Sequence, residues 1–133
     1  MKVDHVGIVV HDIQAALAVY EHALGLALAE VVDVPDQEVK IAFLPVGDSN
    51  VELVQPTTDD SGIARYLAKR GEGIHHICLE VDDIQAMLER LKAHGIQLVH
   101  DEPAVAENGK KYAFIHPKAA FGVMVELYEL PVE

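Results

Sequence analysis

Apolar and polar residues alternate along residues 5–10, with Val6, Ile8 and Val10 on one face and His5, Gly7 and Val9 on the other. That is the two-residue period of a half-buried strand. The same alternation returns at residues 76–81, where Ile77, Leu79 and Val81 oppose His76, Cys78 and Glu80. Each strand runs into an aspartate, Asp12 or Asp83, placed to accept from the free amides at the start of a helix. The spacing then becomes helical, with Ile13, Ala16, Leu17, Tyr20 and Leu24 on one stripe, and Ile84, Met87, Leu88 and Leu91 on the other. Gly25 and Gly95 end the two helices, since glycine suits the left-handed position after a helix. Three strand segments are predicted after each helix, over residues 26–34, 38–45 and 50–55 and then over 97–101, 110–115 and 122–130. Turn signals such as Gly47-Asp48-Ser49-Asn50 and Asn108-Gly109 separate them. A short helix is predicted over 61–70, opened by Asp59, Asp60 and Ser61 and closed by Gly71.

The two halves are copies. At a constant offset of 71 residues the chain matches His5 with His76, Val10 with Val81, and Asp12-Ile13-Gln14-Ala15 with Asp83-Ile84-Gln85-Ala86, followed by Leu17 with Leu88. A shared D-I-Q-A-x-L run at one offset is the mark of an internal duplication. The expected fold is therefore α+β: two tandem βαβββ modules forming a curved eight-stranded mixed sheet around a metal-binding cleft. Module 1 covers about 1–58, a helical linker about 59–72, and module 2 about 73–133, together one domain. Each sheet carries its helix on one face, so the other face must be covered by something else.

Composition narrows the function without deciding it. Half of the 133 residues are apolar and 24% are charged, as in an ordinary globular chain. No apolar run approaches a membrane span, and residues 1–4 lead directly into a strand, so no secretory signal is expected. One cysteine, Cys78, cannot form an internal disulfide, so a cytoplasmic location is expected. A net charge of −12 without a basic stripe disfavours nucleic acid, and no nucleic-acid partner is expected. It also means that an anionic ligand must be held by local positive features. Open β edges make a homodimer the expected assembly.

The candidate chemistry is repeated as well. Val51-Glu52-Leu53 and Val125-Glu126-Leu127 are the same tripeptide in the last strand of each copy. With the apolar flankers turned to the helices, Glu52 and Glu126 face the cleft beside His5 and His76. A carboxylate at the centre of an apolar strand is costly to bury without a partner. Two imidazoles and two carboxylates suit one divalent metal ion, Co, Mn, Ni, Zn or Fe, with positions left for substrate oxygens. The competing reading is a metal-free relative in which the four residues bond to one another or line a pocket. His75 has the opposite parity to His76 and reads as structural, while His11, His22, His94 and His100 read as solvated. Cys78 reads as a small residue lining the cleft rather than a nucleophile. Lys40 and Lys111, of opposite parity to Ile41/Phe43 and Tyr112/Phe114, are secondary candidates for holding an anionic part of a ligand, although a solvated strand edge explains them equally well. His116 is a further candidate for substrate contact, its bland reading favoured.

These residues resemble the vicinal-oxygen-chelate superfamily, which includes glyoxalase I, extradiol dioxygenases and fosfomycin-resistance enzymes. Within it the chain is similar to the methylmalonyl-CoA epimerase family. The motifs are D-H-V-G-I-V-V (4–10), E-L-V-Q-P-T (52–57), D-S-G-I-A-R-Y-L-A-K-R-G-E-G-I-H-H-I (60–77), E-V-D-D-I (80–84), D-E-P (101–103), G-K-K-Y-A-F-I-H-P-K (109–118) and G-V-M-V-E-L (122–127). The G-E-G-I-H-H and H-P-K elements are more specific than the His/Glu quartet, which glyoxalase I shares. The resemblance implies a metal held by His5, His76 and Glu126, with Glu52 as fourth ligand. It also implies an acyl-CoA substrate whose α-proton is removed on one face and returned on the other, through a metal-stabilised enolate. Glu126 is the implied acid–base group on one side and Glu52 the choice for the other. Some epimerases place a glutamate in the third strand, where this chain has Lys40, and are glycine-rich where it has Ala119-Ala120-Phe121. The alternatives are a glyoxalase I-type lactoylglutathione lyase and a metal-free ligand-sequestering protein of the same fold. An extradiol dioxygenase is disfavoured by the second glutamate.

Overall fold

A computed structural model describes residues 1–132. It divides into two compact units, residues 5–75 and residues 1–4 together with those from 76 onward. The elements in chain order are β1 (Lys2–Val9), α1 (Ile13–Leu17), β2 (Glu30–Val34), β3 (Val39–Val46), β4 (Ser49–Pro56), α2 (Gly62–Arg70), β5 (Gly73–Glu80), α3 (Ile84–Ala93), β6 (Ala104–Val105), β7 (Lys111–Ile115) and β8 (Met124–Glu129). The fold is α+β with eight strands in mixed pairing, as the repeat predicts.

In the unit of residues 5–75 the strand order is β2-β3-β4-β1. β1 runs parallel to β4, and the β2–β3 and β3–β4 pairs are antiparallel. The other unit repeats the plan as β5-β8-β7-β6, with β5 parallel to β8 and the remaining pairs antiparallel. The apolar alternation explains the layering. In one unit Val10, Ala42, Leu44 and Leu53 pack on Ile13 and Leu17 of α1. In the other Val81, Ala113, Val125 and Leu127 pack on Ile84 and Leu88 of α3. Burying a side chain of this size stabilises by about 1.5–3 kcal/mol, so these stripes fix which face of each sheet is inside.

The helix starts are as the sequence indicates. Asp12 Oδ1 accepts from the Gln14 amide at 2.9 Å and Asp83 Oδ1 from the Ala86 amide at 3.0 Å. Ser61 accepts from the Ala64 amide and caps α2, which Gly71 ends at φ +81°. A second repeated cap was not anticipated. Gln55 and Glu129, each three residues after the glutamate of its last strand, accept from the first helical amides, Ile13 N at 2.8 Å and Ile84 N at 2.9 Å.

Three expectations need correction. After Leu17 the first helix widens into a π-helical turn over Ala18–Ala23, with the Leu24 amide bonded to the Val19 carbonyl. The extra residue per turn shifts the apolar stripe out of phase, and Leu24 is 64% exposed instead of buried. The strand expected over 26–34 begins only at Glu30; before it, Leu26 and Leu28 pack on the core in irregular chain. The strand expected over 97–101 is reduced to a single bridge between Leu98 and Ile115, and β6 lies further on at Ala104–Val105.

Candidate metal and acid–base centre

In the unit of residues 5–75 the parallel register sets His5 opposite Asn50 and Gly7 opposite Glu52. Leu53 and its neighbour Val51 pack under α1, so Glu52 must emerge on the face turned away from the helix, the face that His5 shares. Gly7 carries no side chain between them. His5 is 9% exposed and Glu52 8% exposed. The His5 Nδ1 and Glu52 Oε2 atoms are 3.2 Å apart. A carboxylate this deep needs a hydrogen bond or a cation, and the His5 imidazole is one partner.

The other unit repeats this geometry. His76 lies opposite Met124 and Cys78 opposite Glu126, so Cys78 occupies the place that Gly7 has in the first copy. Val125 and Leu127 are in the core under α3, which turns Glu126 to the other face. His76 and Glu126 offer ligand atoms within 4.8 Å of one another. Cys78 is fully buried on this face and is a free thiol.

Around Glu126 the structure adds groups that the pattern did not single out. The Lys110 ammonium is 3.9 Å from Glu126 Oε2 and 4.4 Å from the centre of the Tyr128 ring. The Tyr128 hydroxyl donates to Asp4 Oδ1 at 2.7 Å and lies 3.3 Å from Glu80 Oε1. Burial first, then the hydrogen bond and charge of Asp4, hold this phenol protonated far above its ordinary range. The signal for Lys110 was its place directly before β7, with the parity of Tyr112 and Phe114.

The two lysines named from parity are corrected by the register. Phe43 pairs with Glu52 and Phe114 with Glu126, so Ile41, Phe43, Tyr112 and Phe114 share the glutamates' face. Lys40 and Lys111 therefore lie on the helix-bearing face with Ala42, Leu44, Ala113 and Ile115. The error was to assume that the apolar residues of a strand always mark the helix side; the glutamate face here is apolar too. Lys111 instead pairs with Glu129 at 3.9 Å.

His116 caps a short 3₁₀ turn over Pro117–Ala120, its Nδ1 accepting from the Lys118 amide at 3.1 Å. His75 packs edge-on against Tyr66 with ring centres 4.6 Å apart, and burial pushes its imidazole below the ordinary range. His11, His22, His94 and His100 are exposed.

A sequence profile of the Glyoxalase/Bleomycin resistance protein/Dioxygenase superfamily matches residues 4–114. The Cereibacter sphaeroides ethylmalonyl-CoA/methylmalonyl-CoA epimerase is 39% identical over 131 residues, covering 97% of this chain and 98% of that one. Human mitochondrial methylmalonyl-CoA epimerase is 39% identical over 127 residues, covering 95% of this chain and 72% of that one. Among solved structures, a variant of the Streptomyces coelicolor methylmalonyl-CoA epimerase in complex with 2-nitronate-propionyl-CoA superposes with a TM-score of 0.80 at 32% identity, covering 99% of this chain and 96% of that one. With its repeated βαβββ plan and its duplicated His/Glu pairs, the chain belongs to the Glyoxalase/Bleomycin resistance protein/Dioxygenase superfamily, alongside the methylmalonyl-CoA epimerases.

Proposed function

We propose that the protein is a metal-dependent methylmalonyl-CoA epimerase, in which the two units work as one vicinal-oxygen-chelate domain and His5, Glu52, His76 and Glu126 hold a single divalent cation. The observation that carries the reading is the duplicated pair. The same imidazole and carboxylate stand on the same face in both copies, each carboxylate turned away from its apolar core. Two imidazoles and two carboxylates are a fitting donor set for Co, Mn, Ni, Zn or Fe, and the buried Glu52 gains from a cation that offsets its desolvation. The epimerase names of the relatives at 39% identity support the substrate class.

When bound, the cation would supply electrophilic stabilisation of the charge that develops on the thioester oxygen. The chain's own residues do the rest. A carbon acid beside a thioester loses its proton only to a base held against it, and inversion needs a second group on the opposite face. Glu126 is the group on one side. Its side chain is 17% exposed, sheltered from bulk water yet open to a ligand. Glu52 is the group on the other side, with His5 Nδ1 at 3.2 Å orienting its carboxylate. The apolar ring surfaces of Phe43 and Phe114, on the glutamates' face, keep water from protonating the carbanion at random.

We further infer a homodimer, from the open strand edges at β2 and β6. A cytoplasmic location is our reading from the single buried thiol; no helix among the described residues is long and apolar enough to cross a membrane. The glyoxalase I reading is less favoured because relatives named as epimerases match at 36–39% identity, against 30% for a probable lactoylglutathione lyase of Vibrio cholerae. Coupled assays separate the two. Turnover of methylmalonyl-CoA with none of the methylglyoxal–glutathione hemithioacetal is expected, and the reverse pattern would replace the epimerase with the lyase.

A further inference from the structure

The duplication accounts for both His/Glu pairs but not for Lys110. At the offset of 71 its counterpart is Val39, which is 2% exposed. Where one copy has a buried apolar residue, the other has a cation beside its glutamate. That asymmetry is built rather than incidental. The turn before β7 fixes the Lys110 backbone at both ends: its amide donates to Asn108 Oδ1 at 3.0 Å and its carbonyl accepts from Ala106 N at 2.8 Å. Gly109 closes this turn at φ +86°, where a Cβ would also come within 3.3 Å of Pro131 Cβ. The side chain then lies over the Tyr128 ring at 4.4 Å, which removes much of the rotamer freedom a solvated lysine keeps.

The distance to Glu126 is informative. At 3.9 Å the pair is about 1 Å longer than a charge-assisted hydrogen bond, so the ammonium is held near the carboxylate without spending its donors on it. Its three N–H groups can serve another acceptor that arrives at the same place. In a chain of net charge −12, an anionic acyl group meets repulsion unless such a local cation receives it.

We propose that Lys110 is a specificity-determining residue, which receives the free carboxylate of a carboxyacyl thioester beside Glu126 and so selects such substrates over plain acyl thioesters. This rests on the epimerase reading above and names the group behind its substrate choice. The test is calorimetric binding of malonyl-CoA and propionyl-CoA, which differ by one carboxylate in the acyl part, to the wild type, Lys110→Ala and Lys110→Arg in the full chain. Wild type is expected to prefer malonyl-CoA. Lys110→Ala should weaken malonyl-CoA by about 10- to 100-fold while propionyl-CoA stays within about twofold, the range expected for one charged hydrogen bond. Lys110→Arg should recover most of the preference, and with methylmalonyl-CoA the loss in Lys110→Ala should fall on KM more than on kcat. Equal weakening of both thioesters would assign Lys110 to the CoA moiety and overturn the proposal. Unchanged preference in Lys110→Ala would overturn it and leave the epimerase reading standing. Wild-type protein that binds neither thioester would remove both.

Discussion

Glu126→Gln is expected to lower kcat for methylmalonyl-CoA epimerisation by about a thousandfold, which is a barrier rise of about 4 kcal/mol. The amide keeps the size of the carboxylate and one oxygen able to approach a cation, but it cannot take a proton from carbon. Fold effects should be small, because Glu126 lies on the face away from Val125, Leu127 and α3. Its ion pair with Lys110, at 3.9 Å and part-exposed, contributes less than about 1 kcal/mol, so the stability change is minor beside the catalytic one. Steady-state rates, with circular dichroism and metal content on the same sample, check this. Rates like those of the wild type would remove Glu126 from the chemistry.

The second large effect is on metal binding. His76→Ala and His5→Ala are each expected to weaken the divalent cation by more than about a hundredfold, since losing a ligand must cost at least as much as losing one of its supporting groups. Co²⁺ or Mn²⁺ at about 100 times its Kd should stabilise the wild type by about 2.7 kcal/mol, a rise of roughly 10 °C in Tm for a chain of this size. Neither variant should show that rise. Without added metal His76→Ala should melt within a few degrees of the wild type, whereas His5→Ala should melt lower, because it takes a partner from the buried Glu52 carboxylate. A full metal-induced rise in His76→Ala would exclude that residue as a ligand.

The parts of this fold legible in the sequence are those where two signals coincide. Asp12 and Asp83 were readable as caps because a capping residue preceded a helical stripe at the same offset in both copies. The orientation of Glu52 and Glu126 followed from apolar flankers on both sides, and the cores under the helices contain those flankers. Where only one signal was present the reading went astray. Parity against the aromatic neighbours alone turns Lys40 and Lys111 the wrong way, because the register places those aromatics on the glutamates' own face. The π-helical turn at Ala18–Ala23 has no pattern of its own in the sequence, where Tyr20 and Leu24 continue the helical spacing. Lys110 was passed over because the copies differ there, and a search for repeats weights agreement. The most informative residue outside the quartet was thus one that the repeat could not flag.

In the proposed reaction two carboxylates exchange the α-proton of methylmalonyl-CoA at a site that requires one divalent cation. The most direct measurement is deuterium incorporation at that carbon in D₂O, followed by NMR before and after chelation of the metal. Rapid exchange is expected in the metal-loaded protein, with loss of exchange on chelation and its return when Co²⁺ or Mn²⁺ is added. Exchange that proceeds undiminished in metal-free protein, or no exchange in metal-loaded protein, would contradict it.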